Sequence, residues 1–224
     1  MISLECNFTK GNNCLTIGMK APNFVAETTF GPLDFSCLKG KWVVFFSHPG
    51  DFTPVCTTEF IAFSQLAPYF AKKNVQLLGL SIDSNPSHLA WAYNIFISTG
   101  IQITFPIIAD RDGKIAKLYG MIFPDVSTTE TVRTVYIIDD KQVIRAILNY
   151  PMTNGRNIPE ILRLVEAIQT SDKEKVATPA NWCPGQPIVV PSPKTYSELL
   201  ERVKCPHGLK CIDWYLCYKN KNYL

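Results

Sequence analysis

The junction between an apolar strand and a helix near residue 50 constrains the fold of this chain most strongly. Residues 42–47 form a short run of apolar and β-favouring residues, which is typical of a central strand buried on both faces. A loop signal follows at residues 48–51, and from Pro54 apolar residues recur at helical spacing up to Lys72. Pro68 is expected to kink or break this helix near Ala67. A buried strand that leads directly into a helix begins a strand–helix–strand unit, so the sequence predicts an α/β fold.

Strand and helix patterns continue to alternate beyond this junction. Further strands are predicted at residues 75–82, 106–109, 132–138 and 143–149, and further helices at residues 86–96, 115–119 and 158–168. The third and fourth of these strands form a hairpin that turns at Asp139, Asp140 and Lys141. Helices between strands, together with one hairpin, indicate a sheet of mixed direction with helices on both faces.

A change of composition near residue 171 predicts a second, smaller part of the chain. Residues 178–187 are rich in turn-forming residues and are typical of a linker. The sequence therefore predicts three parts: an N-terminal extension over residues 1–14, a main α/β domain over 15–177 and a C-terminal α+β module over 178–224. In that module we expect a helix at Tyr196–Val203 and strands within residues 208–218.

Composition and charge exclude several classes of protein. The chain has 46% hydrophobic residues and a net charge of +3 without a basic run, so it should be globular and should not bind nucleic acid. It lacks the roughly 20 consecutive apolar residues that span a membrane, and its first residues do not resemble a secretory signal. We therefore expect a cytoplasmic protein whose eight cysteines are reduced. No pair of cysteines has C-x-x-C spacing, which disfavours a dithiol reductase and a zinc ribbon.

Cys56 is the residue that the sequence best equips for chemistry. It falls in the first turn of the predicted helix, where unpaired backbone N–H groups and the helix dipole stabilise a thiolate. Thr53 lies three residues earlier, so its hydroxyl can turn towards the sulfur, and Pro49 can close one side of the pocket without adding a donor. By itself this pattern leaves two interpretations open, a reactive thiolate and a buried structural cysteine.

The residues around Cys56 resemble a known active-site loop. Residues 49–59 contain the pattern Pro-x-x-x-Thr-x-x-Cys followed by Thr-Thr-Glu, which is similar to the active-site loop of the peroxiredoxin family. Further segments that resemble this family are residues 21–24, 105–110 and 133–138, and those at 153–157 and 178–182 resemble its 1-Cys class, the peroxiredoxin-six type. The resemblance implies an elaborated thioredoxin fold, in agreement with the strand and helix pattern.

The resemblance also implies a peroxidase mechanism. Cys56 would attack a peroxide and become a sulfenic acid, and Arg133 would stabilise the thiolate and hold the peroxide. Thr53 would hydrogen-bond the same oxygens, and Pro49 would shield the sulfur from over-oxidation. Three more residues match positions that support the site in the 1-Cys class, namely His48, Glu59 and Arg156. No cofactor and no metal ion are expected.

The reduction of the sulfenic acid leaves alternatives open. The 1-Cys class uses an external thiol, such as glutathione, thioredoxin or glutaredoxin, whereas in a 2-Cys mechanism Cys183 would resolve the sulfenic acid of Cys56. Residues 178–185 match the 1-Cys frame, which favours the external thiol. A redox relay or chaperone with the same fold is the other alternative. The family usually forms homodimers, for which residues 186–224 are the predicted contact region. The tail cysteines, Cys205, Cys211 and Cys217, lie near His207 but lack the spacing of a zinc site, and we expect them to be lone thiols.

Overall fold

The computed structural model describes residues 15–220, which form two compact units. The first unit ends at Ile158 and the second begins at Pro159. The first contains seven strands: β1 (Val25–Thr28), β2 (Gly31–Asp34), β3 (Trp42–Ser47), β4 (Val75–Ser81), β5 (Ile107–Ala109), β6 (Arg133–Ile138) and β7 (Ile144–Tyr150). Its helices are α1 (Pro54–Lys72), α2 (Asn85–Thr99) and α3 (Lys114–Leu118), and a short 3-10 helix covers Phe35–Leu38. The predicted boundaries after residues 14 and 177 stay predictions, and the extension over residues 1–14 lies outside the described residues.

The seven strands form one mixed sheet in the order β2-β1-β5-β4-β3-β6-β7. Strands β3, β4 and β5 are parallel, and β6 is antiparallel to β3 and to β7. Because the two crossovers through α1 and α2 step in the same direction, the right-handed rule places both helices on one face. The predicted mixed sheet with flanking helices is confirmed, and it is a thioredoxin-like fold.

Residues of β3 face alternate sides of the sheet. Val43 and Phe45 belong to the core cluster that also contains Phe24, Phe35, Tyr119 and Tyr136. On the other side, the ring of Phe46 stacks on Phe63 of α1 with 4.1 Å between centroids. A side chain at Gly79 of β4 would come within 3.1 Å of Phe60, so glycine allows α1 to pack close to the sheet.

Helix α1 begins as the sequence predicts but does not end at its internal proline. Thr53 is the N-cap in an extended conformation, Pro54 follows at a position that tolerates proline, and Cys56 lies in the first turn. The first backbone bond of the helix runs from the N–H of Thr57 to the carbonyl of Thr53, so the N–H of Cys56 has no partner within the helix. The helix continues through Pro68 to Lys72, and the expected break near Ala67 is wrong.

Helix α2 buries a different face from the one that its apolar residues suggest. Leu89, Tyr93 and Phe96 are 50%, 65% and 46% exposed. The buried residues of this helix are His88, Trp91 and Ile95, which recur at spacings of three and four. A polar side chain, His88, therefore points into the first unit.

The second unit contains α4 (Ile158–Glu174), which starts at the boundary, and α5 (Tyr196–Val203). Its small sheet has the order β8-β10-β9, with β8 at Ile188–Val189, β9 at Leu209–Asp213 and β10 at Leu216–Lys219. Cys211 and Cys217 face each other across the antiparallel pair β9 and β10 and form a disulfide. The expectation of three lone tail thiols is therefore wrong for these two residues, although Cys205 is free. Among the described residues no helix is both long and apolar enough to cross a membrane.

Candidate active site

The thiol of Cys56 lies in a fully buried position next to an arginine. Cys56 is a free cysteine with 0% exposure. Arg133, the first residue of β6, is 2% exposed, and its Nη1 donates to the Cys56 Sγ at 3.3 Å. The Nε of Arg133 donates to the carbonyl of Met152 at 2.9 Å, which fixes the plane of the guanidinium. The structure thus brings together the two residues that the sequence assigned to thiolate stabilisation.

Glu59 lies one turn after Cys56 on α1 and binds two arginines. Its Oε2 accepts from Arg133 Nη1 at 2.7 Å and from Arg156 Nη2 at 2.6 Å. Its Oε1 accepts from Arg156 Nε and from the backbone N–H of Arg156, both at 2.8 Å. Burial raises the pKa of the Glu59 carboxyl, but the charges and hydrogen bonds of the arginines outweigh it and hold that pKa below its usual range.

Arg156 connects this carboxylate to the sheet. Its Nη1 donates to the carbonyl of Ser47 at 2.9 Å, and its guanidinium lies 5.1 Å from the ring centroid of Phe46. Two guanidinium groups and one carboxylate give the buried cluster of Glu59, Arg133 and Arg156 one net positive charge. A thiolate at Cys56 would balance that charge, so the cluster favours ionised sulfur.

Pro49 and Thr53 lie in the loop between β3 and α1. Pro49 is buried, and the hydroxyl of Thr53 donates to the carbonyl of Gly50 at 2.8 Å. This bond fixes the hydroxyl hydrogen away from the sulfur and leaves the oxygen lone pairs as acceptors. The roles of both residues towards peroxide stay predictions.

A second buried cluster adjoins the same loop and consists of His48, Asp51 and His88. Asp51 Oδ1 lies 3.0 Å from His48 Nε2, and Asp51 Oδ2 lies 2.8 Å from His88 Nδ1. The backbone N–H of Asp51 donates to Asp83 Oδ2 at 2.9 Å, and the Ser81 hydroxyl donates to the same oxygen at 2.7 Å. The cluster therefore ties the loop to β4 and to α2.

Sequence reasoning found His48 but missed Asp51, His88 and Asp83. The periodicity of His88 with Trp91 and Ile95 is the signal that could have found His88. Burial lowers the pKa of His48 and outweighs the opposing effect of Asp51, so this histidine is neutral.

Within residues 15–220, this histidine–aspartate cluster is the group whose residue types and spacing could hold a metal ion, with its ligand atoms within 4.8 Å of one another. The three side chains already satisfy one another by hydrogen bonds. The proposed alternative thiol, Cys183, is an exposed free cysteine of the second unit.

Comparison with known proteins assigns both parts of the chain. The model of the AhpC/TSA family matches residues 17–147, and the model of the C-terminal domain of 1-Cys peroxiredoxin matches residues 167–204. The chain is 63% identical to peroxiredoxin 2 of Caldanaerobacter subterraneus over 203 residues, which is 91% of this chain and 92% of that protein. It is 53% identical to a peroxiredoxin of Aquifex aeolicus, with 91% of this chain and 96% of that protein covered.

Solved structures give the same assignment. The fold is similar to that of yeast mitochondrial 1-Cys peroxiredoxin, with a TM-score of 0.81, 40% identity, and coverage of 92% of this chain and 100% of that chain. A cysteine-to-serine mutant of peroxiredoxin 6 from Arenicola marina has a TM-score of 0.81 and 36% identity, with 92% and 98% covered. The chain therefore belongs to the peroxiredoxin family of thiol peroxidases, and within it to the 1-Cys class.

Proposed function

We propose that Cys56 is the residue with which this peroxidase reduces hydrogen peroxide and organic hydroperoxides. The observation that carries the proposal is the contact of 3.3 Å between Arg133 Nη1 and the Cys56 sulfur, next to a cluster with one net positive charge. This charge stabilises the thiolate, which is the nucleophilic form of cysteine.

The reaction then follows from the charges at the site. The thiolate attacks one peroxide oxygen, an S–O bond forms, and the O–O bond breaks. Cys56 becomes a sulfenic acid, and the departing hydroxide or alkoxide takes up a proton and leaves as water or alcohol. Arg133 stabilises the negative charge as it moves from sulfur to the leaving oxygen. Thr53 accepts from the peroxide O–H, and Pro49 covers one side of the pocket.

Glu59 and Arg156 act through Arg133. The carboxylate of Glu59 holds Arg133 and Arg156 together, so the guanidinium next to Cys56 cannot swing away. His48 acts in the same supporting way from the loop that precedes Pro49.

An external thiol reduces the sulfenic acid in this proposal. The structure of yeast mitochondrial 1-Cys peroxiredoxin concerns thiol resolution via glutathione/thioredoxin systems. Glutathione, thioredoxin and glutaredoxin are therefore the candidate reductants. Cys183 is the second candidate, because it is exposed and free.

We also propose a homodimer in the cytoplasm. The second unit exposes large apolar side chains at Ile212, Tyr196 and Tyr215, which are 71%, 74% and 52% exposed and suit a protein interface. Free exposed thiols at Cys37, Cys183 and Cys205 suit a reducing compartment.

Mass spectrometry after one equivalent of hydrogen peroxide tests these proposals. Intact protein should gain one oxygen at Cys56, glutathione should remove it, and native spectra should show a dimer. Cys56→Ser should abolish the oxidation, whereas the matched control Cys37→Ser should leave it unchanged. Oxidation that persists in Cys56→Ser would contradict the assignment of the nucleophile, and a disulfide between Cys56 and Cys183 would contradict the external thiol.

A further inference from the structure

Both ring nitrogens of His88 face oxygen atoms that can only accept hydrogen bonds. Nε2 lies 3.1 Å from the carbonyl oxygen of Ile108, which has no hydrogen to donate. Nδ1 lies 2.8 Å and 3.0 Å from the two carboxylate oxygens of Asp51. Each nitrogen must therefore carry a hydrogen, which makes His88 an imidazolium ion whenever Asp51 is ionised.

Asp51 is ionised in this setting. Burial raises the pKa of its carboxyl, but the hydrogen bonds and charges of His48 and His88 outweigh it and hold the pKa below its usual range. The backbone N–H of Asp51 also donates to Asp83, so the loop is held in the position that presents the carboxylate to both rings.

The state of His48 follows from that of Asp51. Its Nε2 faces the carboxylate at 3.0 Å and must carry the hydrogen of the neutral ring. Its Nδ1 is then a bare lone pair, and this atom is buried without a hydrogen-bond partner in residues 15–220. The charged groups that face His48 are Asp51 from the loop, His88 from α2 and Arg156 from the segment before α4.

We infer that His88 is a positioning residue whose permanent positive charge, passed through Asp51, keeps His48 neutral, with its hydrogen on Nε2 and its Nδ1 lone pair free. The same hydrogens occupy the nitrogen lone pairs that a metal ion would need, so the cluster of His48, Asp51 and His88 is a proton arrangement rather than a metal site. The consequence for peroxide reduction rests on the proposed function, but the protonation states do not.

The charge on His88 has a large effect because it acts at short range in a buried place. The ring centroids of His48 and His88 are 6.0 Å apart, and both residues are fully buried. With an effective dielectric constant of about 20, the loss of one charge at that distance raises the proton affinity of His48 by roughly a hundredfold. Without the His88 charge, His48 would therefore take up a proton near neutral pH.

Nuclear magnetic resonance of ¹⁵N-labelled histidine tests the inference directly, since the chain has three histidines. In the wild-type protein at pH 7 we expect one imidazolium ring with both nitrogens protonated, His88, and one neutral ring protonated at Nε2, His48. The exposed His207 is removed with His207→Asn, which also serves as the matched control. A neutral His88, or a His48 protonated at Nδ1, would overturn the inference without any test of activity.

A variant then connects the protonation states to the reaction. His88→Asn keeps a neutral N–H donor near the position of Nδ1 but removes the charge. His48 should become an imidazolium at pH 7, and the rate constant for Cys56 oxidation should fall by roughly tenfold or more at pH 6 yet approach the wild-type value at pH 8.5. His207→Asn should match the wild type at both pH values. A ratio between His88→Asn and wild type that is the same at every pH would indicate a purely structural role and overturn the inference, whereas a wild-type protein that reacts no faster than a free thiol would contradict the proposed function instead.

Discussion

Glu59→Gln is the substitution whose effect on stability can be worked out most directly from the structure. Glu59 is 2% exposed and accepts four hydrogen bonds, one from Arg133 and three from Arg156. Glutamine is nearly the same size, so it leaves no cavity. It removes the negative charge, however, and it turns an amide N–H₂ group towards a guanidinium that can only donate.

The expected cost is that of breaking a buried ion pair from one side. Removing one partner of such a pair costs about 3–5 kcal/mol, because the remaining charge is buried without compensation. Two guanidinium groups lose their shared partner here, so we expect a value in the upper part of that range. With a urea dependence of roughly 2–3 kcal/mol per molar, the midpoint of unfolding should fall by about 1.5 M.

Urea unfolding followed by tryptophan fluorescence and circular dichroism gives the measurement. The matched control is Glu160→Gln on α4, where Arg163 Nε and Nη2 donate to the carboxylate at 2.5 Å and 2.8 Å but the Glu160 side chain is 37% exposed. Exposed pairs contribute about 0–1 kcal/mol, so this control should change the midpoint little. Equal losses in the two variants would refute the reasoning, because burial would then have no bearing on the value of the pair.

The same contacts predict a dependence on pH. The pKa of Glu59 is depressed in the folded protein from its ordinary value of 4.5, so its contribution is fully present above that value and is lost as the pH falls through the folded pKa. The difference in unfolding free energy between wild type and Glu59→Gln should therefore be constant near pH 7 and should shrink below about pH 4.5. A difference that grew on acidification would contradict the assignment of Glu59 as an ionised residue.

Two further changes test the packing of each unit. Gly79→Ala would place a Cβ at 3.1 Å from Phe60, so we expect a loss of about 1–3 kcal/mol in urea unfolding, and a loss below about 0.5 kcal/mol would show that α1 can shift. Cys217→Ser removes the disulfide with Cys211, whose loop of six residues is short, so the C-terminal unit should lose about 2 kcal/mol. In the wild type, the peptide that contains Cys211 and Cys217 should take up two more alkyl groups after reduction; equal uptake before reduction would contradict the disulfide.

The order of the main elements could be predicted because each buried strand has a local signal. Residues 42–47 are apolar without interruption up to Ser47, since β3 lies in the middle of the sheet and is covered on both faces. Strands β1 and β2 were not predicted because they have four residues each, β2 contains Pro32, and both pair near one edge of the sheet. Short edge strands carry little periodicity, so only their hydrogen bonds identify them.

The active-site residues divide in the same way. Cys56 has a local signal in its position after Pro54, whereas Arg133 and Arg156 lie 77 and 97 positions from their partners Cys56 and Glu59. Only the resemblance connected them, since no local pattern expresses such a contact. His88 was missed because the apolar residues of α2 that attract attention, Leu89 and Tyr93, face outwards.

Charge balance explains why a glutamate stands beside a site that stabilises an anion. Arg133 alone would supply the positive charge, but a single guanidinium could also turn towards solvent. Glu59 fixes Arg133, and its own charge would cancel the benefit to Cys56 if Arg156 did not compensate it. The three residues together therefore leave one net positive charge in a fixed place, and a buried charge of this kind is costly until an anion accompanies it. The thiolate of Cys56 is that anion before the reaction, and the departing oxygen replaces it during the reaction, so one arrangement of charges serves the resting state and the transition state.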